Sequence, residues 1–89
     1  MDKLDFSKLK EQLELQEWPS VYFFKFIVPN ETSKRARLDA LFGDSASLSY
    51  HESRNGKYVS ISSKELMMSA EEVIEKYEKA GQIEGVIAL

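Results

Sequence analysis

The order of apolar and polar positions along the chain predicts a run of alternating helices and strands. Residues 3–16 place Phe6, Leu9 and Leu13 at helical spacing between charged positions, and Asp2 or Asp5 is available to cap the start. A helix this short needs a surface to pack on. It ends at Glu17-Trp18-Pro19-Ser20, because a proline drives the residue before it out of the helical region. Residues 21–28, V-Y-F-F-K-F-I-V, read as the strongest strand: aromatic and β-branched, apolar on both faces except at Lys25, and closed by Pro29. A strand of that kind is normally central and covered on both sides. A second helix is predicted over 30–42, opened by Asn30, Glu31 and Thr32 and carrying Leu38, Leu41 and Phe42. Gly43 suits the left-handed position just past its end.

Asn55-Gly56 then lies between two strand-like runs, 46–54 and 57–66, and that pair favours a two-residue type I′ hairpin. With those two residues as the loop, Arg54 faces Lys57, Glu52 faces Val59, Tyr50 faces Ile61 and Leu48 faces Ser63. Leu48, Tyr50, Val59 and Ile61 then share an apolar face. The other face carries Ser47, Ser49, His51 and Ser53 opposite Ser62, Ser60 and Tyr58. Ser69-Ala70-Glu71-Glu72 is a capping box, followed by Val73, Ile74, Tyr77 and Ala80 at helical spacing, with Gly81 as the stop. Residues 83–89, I-E-G-V-I-A-L, read as a last apolar strand.

The β-α-β-β-α-β order with right-handed crossovers implies an α+β, ferredoxin-like sandwich: a four-stranded antiparallel sheet with both helices on one face. Its spatial order would be last strand, first, third, second. The chain then divides into an N-terminal amphipathic helix, 1–17, and a ferredoxin-like domain, 18–89. The second sheet face needs a cover, and the N-terminal helix with Trp18 is one candidate; a dimer partner is the other.

Composition narrows the function classes. With 89 residues there is room for one domain, and 43% apolar with 30% charged residues is ordinary for a globular chain. No apolar run is long enough to span a bilayer, and the charged N-terminus does not read as a secretory signal, so a cytoplasmic location is expected. The absence of cysteine removes disulfides, thiolate nucleophiles and sulfur ligands for zinc. The formal net charge of −3 argues against nucleic-acid binding, which draws its affinity from neutralising phosphates. The basic cluster Lys34, Arg35 and Arg37 reads as the solvated face of a helix.

Trp18-Pro19, the run Tyr22-Phe23-Phe24-Lys25-Phe26-Ile27, the hairpin Ser53-Arg54-Asn55-Gly56-Lys57-Tyr58-Val59-Ser60, and Val73, Tyr77 and Ile83-Glu84-Gly85-Val86 together resemble the YbeD-like bacterial family, a domain of unknown function. The resemblance covers about residues 18–89. It implies the same ferredoxin-like fold, likened to the ACT-type regulatory domain of a serine-pathway dehydrogenase. A ligand-sensing or protein-interaction role follows from that likeness, with no catalytic residue assigned. The turn Val28-Pro29-Asn30-Glu31-Thr32 departs from the ACT pattern, which places a glycine between the first strand and first helix.

The residues support that direction more than catalysis. His51 is the only histidine, and serines 49, 53 and 60 near it invite a small-hydrolase reading; no nucleophile elbow or orienting third group accompanies them. One histidine and scattered carboxylates provide no metal-binding spacing, and no cofactor motif is present. An acylphosphatase-like site would need an arginine in the first loop, and residues 28–33 contain none. Tyr22, Phe24, Phe26 and Tyr58 suggest base stacking on an RNA-binding sheet, against which core packing is the simpler account. Met67-Met68 reads as edge-of-core packing, with an adaptable contact as the functional alternative. The expectation is therefore a non-enzymatic binding or regulatory module without a cofactor. It would act on a protein partner, itself, or a small ligand through the polar sheet face: Ser49, His51, Ser53, Tyr58, Ser60 and Ser62.

Overall fold

The computed structural model describes residues 6–43 and 46–89. Its elements are α1 (Ser7–Glu14), β1 (Ser20–Pro29), α2 (Thr32–Asp39), β2 (Ser47–Glu52), β3 (Tyr58–Met67), α3 (Ala70–Ala80) and β4 (Ile87–Ala88). The strands form one antiparallel sheet in the order β2-β3-β1-β4, the arrangement expected from the sequence. This is the α+β ferredoxin-like sandwich with an added N-terminal helix.

The core forms on one sheet face only. Phe24, Phe26 and Val28 of β1, Val59, Ile61 and Met67 of β3, and Val73 and Tyr77 of α3 are all buried there. Leu38 of α2, Phe42 and Ile83 complete it. Phe24, Phe26, Phe42 and Tyr77 make ring contacts with centroids 5.4–6.1 Å apart, a spacing typical of offset and edge-to-face aromatic pairs.

α1 joins this same layer. Leu13 is buried in the core, and the Phe6 ring stacks on Tyr77 of α3 at 5.8 Å. The Trp18 indole N–H donates to the Leu13 carbonyl at 2.9 Å, which ties the end of α1 to the chain entering β1. The Trp18–Pro19 peptide bond is cis. The expected caps, Asp2 and Asp5, lie outside the described residues. Of the two candidates for covering the second sheet face, α1 is excluded. Its apolar stripe is satisfied by α3, and the far side of the sheet stays open.

The hairpin register is as expected, with Glu52 opposite Val59, Tyr50 opposite Ile61 and Leu48 opposite Ser63. The turn differs. Ser53 accepts from the Gly56 N–H, and Gly56 alone has positive φ, 73°, so this is not a type I′ turn with two left-handed residues. Asn55 acts through its side chain: Oδ1 accepts from the Lys57 N–H and the Ser53 hydroxyl, both at 3.0 Å. Arg54 and Lys57 fall in the loop, outside the ladder.

Helix ends also shift. α2 stops at Asp39, and Leu41 and Phe42 follow in a tighter turn bonded back to Leu38 and Asp39. Gly43 does not adopt positive φ; its N–H donates to Glu65 Oε2 at 3.1 Å. α3 starts with Ser69 accepting from the Glu72 N–H, while Glu72 reaches back to the Met68 N–H. The last strand shrinks to Ile87–Ala88, because Ile83 turns inward to fill the core and Gly85 bends the chain at φ 85°. A Cβ on Gly85 would come within 2.7 Å of the Pro29 ring.

Candidate functional site

The register displays the open face row by row. Side chains on one face of a strand recur every second residue, so β1 contributes Val21, Phe23, Lys25, Ile27 and Pro29. Their partners on β3 are Leu66, Lys64, Ser62, Ser60 and Tyr58. β2 adds Ser47, Ser49 and His51 opposite Lys64, Ser62 and Ser60. β4 brings Ile87 beside Ile27, and the Leu89 N–H donates to the Lys25 carbonyl at 2.9 Å.

Nine large apolar residues are exposed among the described residues, and six of them, Val21, Phe23, Tyr58, Leu66, Ile87 and Leu89, belong to this face or its β4 edge. Scattered exposed hydrophobics need no explanation, but a contiguous group on one sheet face does. Lys25 and Lys64 are also exposed here, the Lys64 ammonium lying 5.3 Å from the centre of the Phe23 ring. A shallow concavity of about 380 Å³ runs between them, lined by Phe23, Lys25, Ser47, Ser49, Ser62 and Lys64.

The residues singled out from the sequence fall mostly on this face. Ser49 and His51 are exposed on β2, Ser60 and Ser62 are half-buried on β3, and Tyr58 is exposed at the start of β3. Ser53 stands apart at the hairpin end, where its hydroxyl accepts from the Tyr58 N–H at 3.1 Å and donates to Asn55. Its role is to close the hairpin. His51 lies opposite Ser60, yet no described side chain hydrogen-bonds its ring, so nothing orients it as a base toward a serine. Three of the four aromatics considered for base stacking, Tyr22, Phe24 and Phe26, face the helices. Among the described residues no group of acidic and imidazole side chains comes together to hold a metal ion.

Residues the sequence did not single out carry most of the apolar surface: Val21, Phe23, Leu66, Ile87 and Leu89, together with Lys25 and Lys64. Val21 and Phe23 were visible as the second apolar parity of the first strand. Joining them to Lys64 and Leu66 required the β1–β3 register.

The helical side works differently. Lys76 of α3 donates to Glu65 Oε1 at 2.8 Å and to the Leu41 carbonyl at 2.7 Å, and it lies 5.1 Å from the centre of the Phe42 ring. Both partners of this ion pair are about nine-tenths covered, 12% and 11% exposed. Tyr22 and Tyr77 hydroxyls meet at 3.1 Å, and burial first, then this hydrogen bond, pushes the Tyr77 hydroxyl well above the usual tyrosine range. Tyr50 donates to Asp39 at 3.1 Å under the Arg35 guanidinium, fastening β2 to α2. These groups are spent on holding helices to sheet.

A family model described as "Protein of unknown function (DUF493)" matches residues 13–89. The chain belongs to that family. The match begins at Leu13, so it takes in the end of α1 as well as the sandwich. No curated protein and no solved structure matched the chain. Among the described residues no helix is long and apolar enough to cross a membrane.

Proposed function

We propose that this DUF493 domain is a non-enzymatic, cytoplasmic binding module that regulates a protein partner by docking it on the open sheet face. The observation that carries this reading is the grouping of six exposed large apolar residues on one face or its edge. β1 and β3 are ten residues each, so the face is about 30 Å long and, across strands about 4.8 Å apart, about 15 Å wide. That is enough to seat one secondary-structure element of a partner at the small end of specific interfaces. A small ligand would find the concavity between Lys25 and Lys64 at the same contact.

The test is a paired substitution, Phe23→Ser with Leu66→Ser, in the full chain. Both positions are more than half exposed, so the variant should stay folded by circular dichroism. It should lose the partners that the native chain retains on co-purification from its own host. Undiminished recovery of those partners would remove the open face from the function.

A further inference from the structure

We infer that the occupant of this face is an acidic amphipathic helix of a different protein, whose carboxylates neutralise Lys25 and Lys64. The inference rests on the docking reading and adds the chemistry of what docks.

Every row of the face can be read for charge. From one end the rows are Val21 and Leu66; Phe23, Lys64 and Ser47; Lys25, Ser62 and Ser49; Ile27, Ser60, His51 and Ile87; Pro29 and Tyr58. Two lysines appear and no aspartate or glutamate. The whole chain has fifteen acidic and twelve basic residues, so a face with basic groups alone runs against the overall balance. Among the described residues the ion pairs are elsewhere, Lys34–Glu31, Lys76–Glu65 and Lys79–Glu75, and no carboxylate reaches Lys25 or Lys64.

A partner that covers Phe23, Val21 and Leu66 also takes water from two ammonium groups set among them. Burying an unpaired charge is costly, so a stable cover must bring anions to that place. A second copy presenting the same face offers two more lysines and no aspartate or glutamate side chain, so like charges would be apposed. RNA would bring phosphates, but the exposed rings here are Phe23, Tyr58 and His51, spread over separate rows in a chain of net charge −3. Lys25 and Lys64 are diagonal neighbours across β1 and β3, which sets their backbones roughly 7–8 Å apart. Carboxylates one helical turn apart on a helix, with Cβ atoms about 5–6 Å apart, are within reach of two long lysine side chains rooted at that spacing, and apolar residues beside them would meet Phe23 and Leu66.

The test uses zero-length carbodiimide cross-linking, which joins an amine to a carboxylate in direct contact, on the full chain in extract from its own host. The cross-linked peptides are read by mass spectrometry, and the partner segment is then synthesised as a peptide for titration. The inference holds if Lys25 or Lys64 joins an Asp or Glu in a segment with helical apolar spacing. Binding of that peptide must also fall roughly tenfold or more in Lys25→Glu/Lys64→Glu, be kept in Lys25→Arg/Lys64→Arg, and weaken with added salt. A partner lost on Phe23→Ser/Leu66→Ser but unaffected by the charge reversal would overturn the acidic helix and leave the docking surface standing. Cross-links only between copies of the chain, a dimer in sedimentation, recovery of RNA, or no cross-link through either lysine would each overturn it.

Discussion

Phe23 and Phe24 are adjacent in sequence and stand in opposite environments, and replacing each by alanine measures how open the sheet face is. Phe24 is 1% exposed and Phe23 is 66% exposed. A phenylalanine covers about 200 Å² when fully buried, so Phe24 hides nearly all of that and Phe23 about one third. At about 25 cal/mol per Å² these areas correspond to about 5 and about 1.7 kcal/mol, upper values because the unfolded chain hides part of the same surface. Phe24→Ala also leaves a cavity among Phe26, Phe42 and Tyr77, so about 3–5 kcal/mol is expected. Phe23→Ala leaves none and gives up only a solvent-exposed contact with Lys64, so about 1 kcal/mol is expected. Urea unfolding followed by the fluorescence of half-buried Trp18 gives both values from the midpoints, provided the slopes agree. If Phe24→Ala leaves too little folded protein, Phe24→Leu should still cost more than Phe23→Ala. Equal costs at the two positions would refute the open face, and a midpoint rising with protein concentration would show that a second copy covers it.

The buried ion pair gives a second case: Lys76→Met strands the Glu65 carboxylate and should cost about 2–4 kcal/mol, whereas Lys76→Met/Glu65→Met should cost well under the sum of the single changes in a double-mutant cycle. At the hairpin, Asn55→Gly would suit a type I′ turn but here loses two hydrogen bonds to Oδ1, so a lower melting temperature worth about 1 kcal/mol is expected; no loss would restore the type I′ turn. The Ser63 hydroxyl is buried without a hydrogen-bond partner among the described residues, so Ser63→Ala should leave stability unchanged or raise it by about 1 kcal/mol in urea unfolding. Tyr77 keeps its proton in the folded state above its ordinary pKa of 10.0, so its contribution is complete below that pH and is lost as pH rises from there toward its folded value. Stability measured from pH 9 to 12 should therefore fall less steeply in Tyr77→Phe than in the native chain.

The fold was legible because local signals agreed. The aromatic and β-branched first strand, the Asn55-Gly56 turn and the Ser69–Glu72 cap each specify a nearby piece of backbone. The hairpin register followed from its apolar parity even though the turn type did not. Asn55 satisfies local donors with its side chain, and a dipeptide preference does not distinguish that from a left-handed backbone. The serines, His51 and Tyr58 of the candidate face were visible as the polar side of one hairpin. Lys25, Phe23, Lys64 and Leu66 were not seen as one surface, because their proximity comes from pairing residues 20–29 with 58–67.

By itself, then, the sequence determined the element order, the strand order and the central place of β1, through periodicities that act over a few residues. Only the tertiary structure decided which side of β1 is wrapped. Val21 and Phe23 are as apolar as Phe24 and Phe26, and hydrophobicity carries no direction. α1 had two surfaces on which to bury Phe6 and Leu13. It packs where Tyr77 and the core of α3 already offer an aromatic partner, and that choice leaves the other face of the sheet uncovered.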